Sequence, residues 1–198
     1  MTTIVGRLLR AGTSGFVAGC QASQYNIPSF GALVRVSPEE NDNYKIYGII
    51  NDIHIDEDGL IRQLVTTENI TAEVMKDNRE KRIVPLEMSV LAIGYEQNGK
   101  IYHLLPPRPP LSLDVIYLCN DKEINQFIST GRFGYFRHIL RAKELPIDEL
   151  FATHFKQVKA VNKDSAWSKT AVQELMTLLR DDYPTLMSIL GALRDIVE

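Results

Sequence analysis

Cysteine is scarce: Cys20 and Cys119 are the only two in 198 residues, too few for a disulfide framework. No C-x-x-C pair or Cys/His cluster accompanies them, so no structural zinc site is expected, and a reducing, cytoplasmic setting is the plain reading. No run approaches the roughly 18 apolar residues of a membrane helix. With 12 Gly and 9 Pro, the chain is neither collagen-like nor of low complexity. The formal charge of -3 excludes a strongly acidic or basic specialist, so any nucleic-acid contact has to come from a local patch. What is present, 44% hydrophobic and 24% charged residues, suits one large or two small folded domains.

Val17-Ala18-Gly19-Cys20 spells a lipoprotein cleavage box behind Arg7 and Arg10. Ala11-Gly12-Thr13-Ser14-Gly15 stands where roughly 7 to 15 apolar residues are needed, so lipidation is not expected.

Up to about residue 120, short apolar runs alternate with turn signals. Ile4 to Leu9, Gly15 to Cys20, Leu33 to Val36, Tyr44 to Ile55, Leu60 to Glu68, Ile83 to Ile93 and Lys100 to Leu105 are rich in Val, Ile, Leu or Tyr and bounded by Gly, Pro, Asn or Asp, the marks of strands. Asn98-Gly99 predicts a type I′ hairpin, because both central residues of that turn need positive φ. Asp56-Glu57-Asp58-Gly59 predicts a second hairpin tip. Such strands, with no long amphipathic helix between them, argue for a small barrel or sandwich, and closure hides the sheet edges.

From Asp121 the period changes. Trp167, Ala171, Leu175, Leu178 and Leu179 recur at helical spacing, with Asp164 or Ser165 as the cap. Pro184 suits the first position of the next helix, whose stripe is Leu186, Ile189, Leu190, Leu193 and Ile196. Glu123 to Ser129, Phe133 to Ala142 and Ile147 to Phe155 read as shorter helices, punctuated by Pro146 and Asn162-Lys163-Asp164. Between the halves, Leu105-Pro106-Pro107-Arg108-Pro109-Pro110 continues neither helix nor central strand, since proline lacks the donor and fixes φ. It predicts a stiff extended connector, and Leu113 to Leu118 beyond it reads as one more strand, so the connector is placed across the barrel. The expected architecture is α+β: a small closed β-barrel domain over residues 1-120, then an α-helical domain over 121-198.

Val5-Gly6-Arg7 in a first strand, Phe16 in a second, the Pro28 to Val36 run through Gly31, the Tyr47 to Ile53 run through Gly48, and Pro106 to Pro110 followed by Val115-Ile116-Tyr117 and Asp121 resemble, in that order, the amino-terminal HAS barrel of HerA-type hexameric ATPases. The resemblance covers about residues 1 to 125. It departs at Leu111-Ser112-Leu113, where the pattern has a glycine. In HerA-like proteins the barrel leads into a nucleotide-binding motor, whereas the helical stretch from Asp121 is far too short for one. The resemblance therefore implies the fold and ring or partner contacts, and does not imply ATP hydrolysis.

Several stretches imitate chemical sites. Gly94 to Lys100 nearly spells a phosphate-binding loop, but Ile101 replaces the Ser or Thr and a strand-like segment replaces the helix, so the glycines belong to the hairpin. Asp52, His54, Asp56 and Asp58 before Gly59 resemble a calcium loop, yet counting from Gly59 as sixth residue puts Val65 where the closing Glu is required. A solvated turn is the expected reading, with no metal. His54, His103, His138 and His154 form no i, i+4 pair, no Gly-x-Ser-x-Gly elbow occurs, and both thiols sit in apolar surroundings. No nucleophile and base pair is nominated, so no enzyme and no cofactor is expected.

The stretch from Gly131 to Arg141 mixes aromatics with three arginines and a histidine. Arg132 to Lys169 holds eight Lys or Arg against four Asp or Glu, a combination that suits phosphates and stacked bases. Arg132, Tyr135, Arg137, His138 and Arg141 are the candidate binding residues. The competing reading places Phe133, Phe136, Ile139 and Leu140 in the core and leaves Arg137 and Arg141 on a wet face. The leading functional expectation is a non-catalytic interaction or assembly module, docking on a HerA-like ATPase or self-associating. The alternative is a nucleic-acid-binding accessory protein using the basic helical face.

Overall fold

A computed structural model of the chain describes residues 3–21, 28–38, 43–55, 71, 73, 85–142, 144–162 and 164–197. Seven strands are assigned among them: β1 (Thr3–Ala11), β2 (Gly15–Gln21), β3 (Leu33–Val36), β4 (Tyr44–Ile55), β5 (Pro85–Gln97), β6 (Lys100–Tyr102) and β7 (Val115–Leu118). The predicted strand at Leu60 to Glu68 and the hairpin tip at Asp56 to Gly59 lie outside the described residues.

Every pairing is antiparallel, and the order β2-β1-β7-β3-β4-β5 closes on itself through a β2–β5 ladder. The result is a closed six-stranded barrel, with β6 as a short seventh strand hairpinned onto the far half of β5. Register shifts in the β1 and β4 ladders mark bulges, the usual means of bending strands around a small cylinder. The Asn98-Gly99 turn has the expected left-handed pair, φ 51° and 76°. Strand β6 ends at Tyr102, short of Leu105, because the chain turns into the proline connector. That connector crosses the barrel end where β4 begins, with Arg108 O accepting from Tyr44 Oη at 3.4 Å. It then delivers β7 between β1 and β3.

Five α-helices follow: α1 (Asp121–Ile128), α2 (Phe136–Arg141), α3 (Ile147–Val161), α4 (Ser165–Leu178) and α5 (Tyr183–Val197). Asn120 and Glu123 form a capping box at the start of α1, and Asp164 accepts Ala166 N–H at the start of α4, each satisfying backbone donors that a helix leaves unpaired. Helix α5 begins one residue before Pro184. Asp182 caps it by accepting Thr185 N–H at 3.2 Å.

Two apolar cores share one sheet wall. Inside the barrel lie Val5, Leu8, Phe16, Val34, Val36, Ile46, Ile50, Met88, Val90 and Ile116. From the same strands, Leu33, Tyr47, Ile49 and Ile93 point outward and are equally buried, against Ile124, Phe127, Tyr135, Phe136, Leu150, Phe151 and Phe155 of the helical half. Strand β4 therefore has to be apolar on both faces, which is why its sequence runs continuously instead of alternating. Each such side chain removed from water contributes about 1.5–3 kcal/mol. Around the six-strand ring, β1 lies opposite β4, so the helices cover one wall and, among the described residues, leave the other bare.

Helix α3 reaches the barrel at two backbone points. Leu33 N–H donates to Gln157 Oε1 at 3.2 Å, and Gly31, at φ 80°, faces Thr153 so closely that an added Cβ would lie 2.7 Å from its methyl. Gly31→Ala combines left-handed strain with overpacking and is expected to lower the unfolding free energy by about 2–4 kcal/mol, read from urea denaturation. A loss below about 0.5 kcal/mol would show that α3 does not sit against this turn.

Candidate functional site

The stretch from Gly131 to Arg141 links α1 to α2 at the seam between barrel and helices. Its opening is a left-handed turn: Gly131, Arg132 and Phe133 have φ of 65°, 45° and 58°. For the two residues with side chains that conformation costs roughly 1–2 kcal/mol each, and the surroundings hold it. An added Cβ at Gly131 would lie 2.7 Å from His103 Nδ1. Phe133 is buried against Phe136 and Trp167, with ring centroids 5.2 and 5.6 Å away.

The candidate residues part company here. Tyr135 is fully buried, with its hydroxyl hydrogen-bonded to His154 Nε2 at 2.9 Å, so it is no stacking platform for a base. Arg137 and His138 are half-buried and converge on one acceptor. Both the Arg137 guanidinium and His138 Nε2–H donate to the His103 carbonyl, the latter at 3.1 Å. Arg132 and Arg141 are exposed. Phe133, Phe136 and Ile139 are buried and Leu140 is half-buried, as the helical spacing predicts for a core-facing stretch.

His103 and His154 are the interior polar groups of this seam. His103 Nε2 donates to Phe127 O at 3.1 Å and its ring lies 4.6 Å from Phe127 and 5.0 Å from Tyr135. Burial lowers the pKa of each imidazole to about 4, because desolvation penalises the charged form. Burial also lowers that of His138, with Arg137 and Arg141 adding to the effect. At neutral pH these rings are uncharged packing units with a polar edge. Buried His154 Nδ1 and Trp167 Nε1 have no hydrogen-bond partner among the described residues, a cost of about 1–3 kcal/mol each.

The other candidate groups are scattered. His54 pairs with Asp52 at 2.9 Å on an exposed strand end, while Asp56, Asp58 and Gly59 lie outside the described residues. Among the described residues no three His, Cys, Asp or Glu side chains gather as a metal would require. Both cysteines are buried, Cys20 in the barrel and Cys119 in the shared core, and burial raises both thiol pKa values, which keeps them protonated and unreactive. No described helix is long and apolar enough to cross a membrane. An open groove of about 670 Å³ between α3 and α5 carries Lys156 and Lys159, but the Lys159 ammonium donates to Ile196 O at 2.7 Å.

Exposed leucines on the bare wall form the feature that spacing did not reveal. After the prolines, the chain from Leu111 to Asp114 laces onto β1: Leu113 N–H donates to Leu8 O at 2.8 Å, Leu8 N–H to Asp114 O at 3.0 Å, and Arg7 Nη1 to Leu113 O at 3.0 Å. Leu113 adopts φ 72° with its side chain 68% exposed. Leu9 and Leu111 are exposed close by, and Ile4 is exposed further along β1, opposite Tyr117. The departure from glycine seen in the sequence thus falls on a turn that does use the glycine region of backbone space, with a leucine held in it. Leucines flanking a proline-rich connector were the available signal, since such a segment has no regular face to bury them.

Comparison with known proteins finds no family model that matches the chain, and no curated protein matches it either.

Below about pH 6.5 unfolded histidines take up protons, whereas buried His103 and His154 do so only near pH 4. Stability is therefore full above pH 6.5 and falls as pH drops towards 4. His154→Gln keeps a partner for Tyr135 and is expected to flatten that slope by up to about 1.4 kcal/mol per pH unit, measured by urea unfolding across this window. An unchanged slope would mean that His154 is not held neutral.

Proposed function

We propose that this chain is a non-catalytic docking or assembly module whose contact surface is the bare barrel wall. The observation that carries this reading is Leu113, kept exposed in a left-handed turn next to Leu9 and Leu111, with Ile4 exposed further along the same strand. Strain of this kind persists only where the surrounding structure enforces it, and a cluster of exposed large aliphatic side chains marks a contact surface. The HAS-barrel resemblance supports the reading, since such barrels join rings and dock partners. Docking on a HerA-like ATPase is its finer form.

The state of the histidines supports a non-catalytic role. His103 and His154 are sealed among aromatic rings, and the two half-buried donors, Arg137 and His138, are spent on a backbone carbonyl. The nucleic-acid reading retains exposed Arg132 and Arg141 but lacks the stacking ring, because Tyr135 is interior.

Leu113→Gly separates contact from folding. Glycine takes the left-handed conformation without steric cost, so stability is expected to stay within about 1 kcal/mol of the parent, where removing a buried leucine costs about 2–5 kcal/mol. Recovery of cross-linked partners from native cells is expected to fall at least tenfold. Arg132→Ala is expected to leave recovery unchanged, and no DNA or RNA complex should appear in mobility shifts at low salt. Partners lost on Arg132→Ala but not on Leu113→Gly would reverse the assignment.

A further inference from the structure

Further apolar side chains are exposed around the turn from α4 to α5, in a charge setting opposite to that of the bare wall. Met176 and Leu178 at the end of α4 and Tyr183 and Met187 at the start of α5 are all exposed, Tyr183 by 67%. They flank a four-residue turn that buries Leu179. Tyr183 and Met187 are one helical turn apart and share a face. Around them stand Glu174, Asp181 and Asp182 against Arg180, which is itself paired with Asp181 at 3.1 Å. The bare wall is edged instead by Arg7 and Arg10, with Asp114 as the nearby acid. The Asp114 carboxylate is occupied in accepting Leu111 N–H at 2.8 Å.

These two surfaces cannot meet within one chain. One is centred on β1, and the other is on helices stacked over the opposite wall of the ring. Helix α5 packs chiefly on α3, which places the Tyr183 turn in the outer helical layer. A cleft of about 320 Å³ at the β1–β2 turn, lined by Arg10, Phe16, Val17 and Val90, is roomy enough for one aromatic side chain.

The geometry points to a second copy of this chain as the occupant: the basic, leucine-rich barrel wall of one molecule receives the acidic Met176–Met187 surface of the next, with Tyr183 entering the β1–β2 cleft. Complementary charge selects the partner and register while the apolar side chains supply the affinity. Such a head-to-tail contact uses two different patches, so it propagates into a closed ring or an open chain and does not stop at a symmetric dimer. The inference rests on the docking role proposed above and names its partner.

Sedimentation velocity of the full chain between roughly 1 and 100 µM, at ionic strengths of about 0.02 and 0.5 M, tests it. The average mass is expected to rise with concentration and to rise less at high salt. Leu113→Asp closes one surface and Met187→Asp the other. Both positions are exposed, and circular dichroism should report an unchanged fold. Each variant alone is expected to remain monomeric, and their equimolar mixture to form a dimer and nothing larger, because each retains one complementary face. Arg10→Glu keeps the leucines and is expected to weaken assembly about tenfold. A parent chain that stays monomeric at low salt, variants that assemble like the parent, or a mixture that stays monomeric would overturn the inference. If the parent stays monomeric while Leu113→Gly still loses a native-cell partner, self-association is refuted and the docking role stands.

Discussion

The rest of the structure depends on the two-sided burial of β3 and β4. A barrel this small is filled by the inward residues of its strands, here Val34, Val36, Ile46 and Ile50. The outward residues of the same strands, Leu33, Tyr47 and Ile49, are the floor of the helical half. Neither set is optional: a polar residue on either side would be buried without water and would need its own partner. Glu96 shows what such a partner set involves, since its buried carboxylate accepts Tyr47 Oη–H at 2.8 Å and Lys45 Nζ at 3.3 Å. Burial, together with the Glu96 contact, pushes the Tyr47 phenol well above its ordinary pKa.

With one wall committed to the helices, the seam has to accommodate polar backbone where the chain changes from sheet to helix. His103 does this twice over. Its ring donates to Phe127 O, and its carbonyl takes the two side chains from α2. One residue from the end of the sheet thereby ties down α1 and α2 together. The left-handed turn at Gly131 to Phe133 is the local consequence, because only a reversal of that hand brings Phe133 inward over Trp167 while Gly131 lies flat against the imidazole. Arg35 reinforces the same seam from the barrel side through its 2.5 Å contact with Glu123.

Much of this was legible in the sequence. Short apolar runs bounded by turn residues, the Asn98-Gly99 turn and the three- and four-residue apolar steps located the described elements, because burial of one or both faces dictates those patterns directly. Helical spacing also offered the reading that places Phe133 and Phe136 in the core, where they lie. What the sequence could not yield is set by three-dimensional closure. Tyr135 reads as available beside three arginines, yet it is interior because α3 brings His154 beneath it from 19 positions away. The positive φ of Arg132, Phe133 and Leu113 left no compositional mark, since none of them is Gly, Asn or Asp, the residues that ordinarily announce such a backbone.

The exposed apolar residues are not scattered evenly over the surface, and their distribution follows from the same two-sided burial. Once the barrel interior has taken one side of each strand and the helices have taken the outer side of β3 to β5, no described residue is left to cover the outward side of β1. A strand facing only solvent there would be expected to carry polar residues throughout. Instead β1 presents Ile4 and Leu9 outward, alternating with arginines, and the connector adds Leu111 and Leu113 along the same edge at the expense of an unfavourable backbone angle. The strain is not needed to close the barrel, because the β1–β7 and β3–β7 ladders already do so. Its effect is to hold a leucine out on that face, which is the feature the proposed docking role draws on.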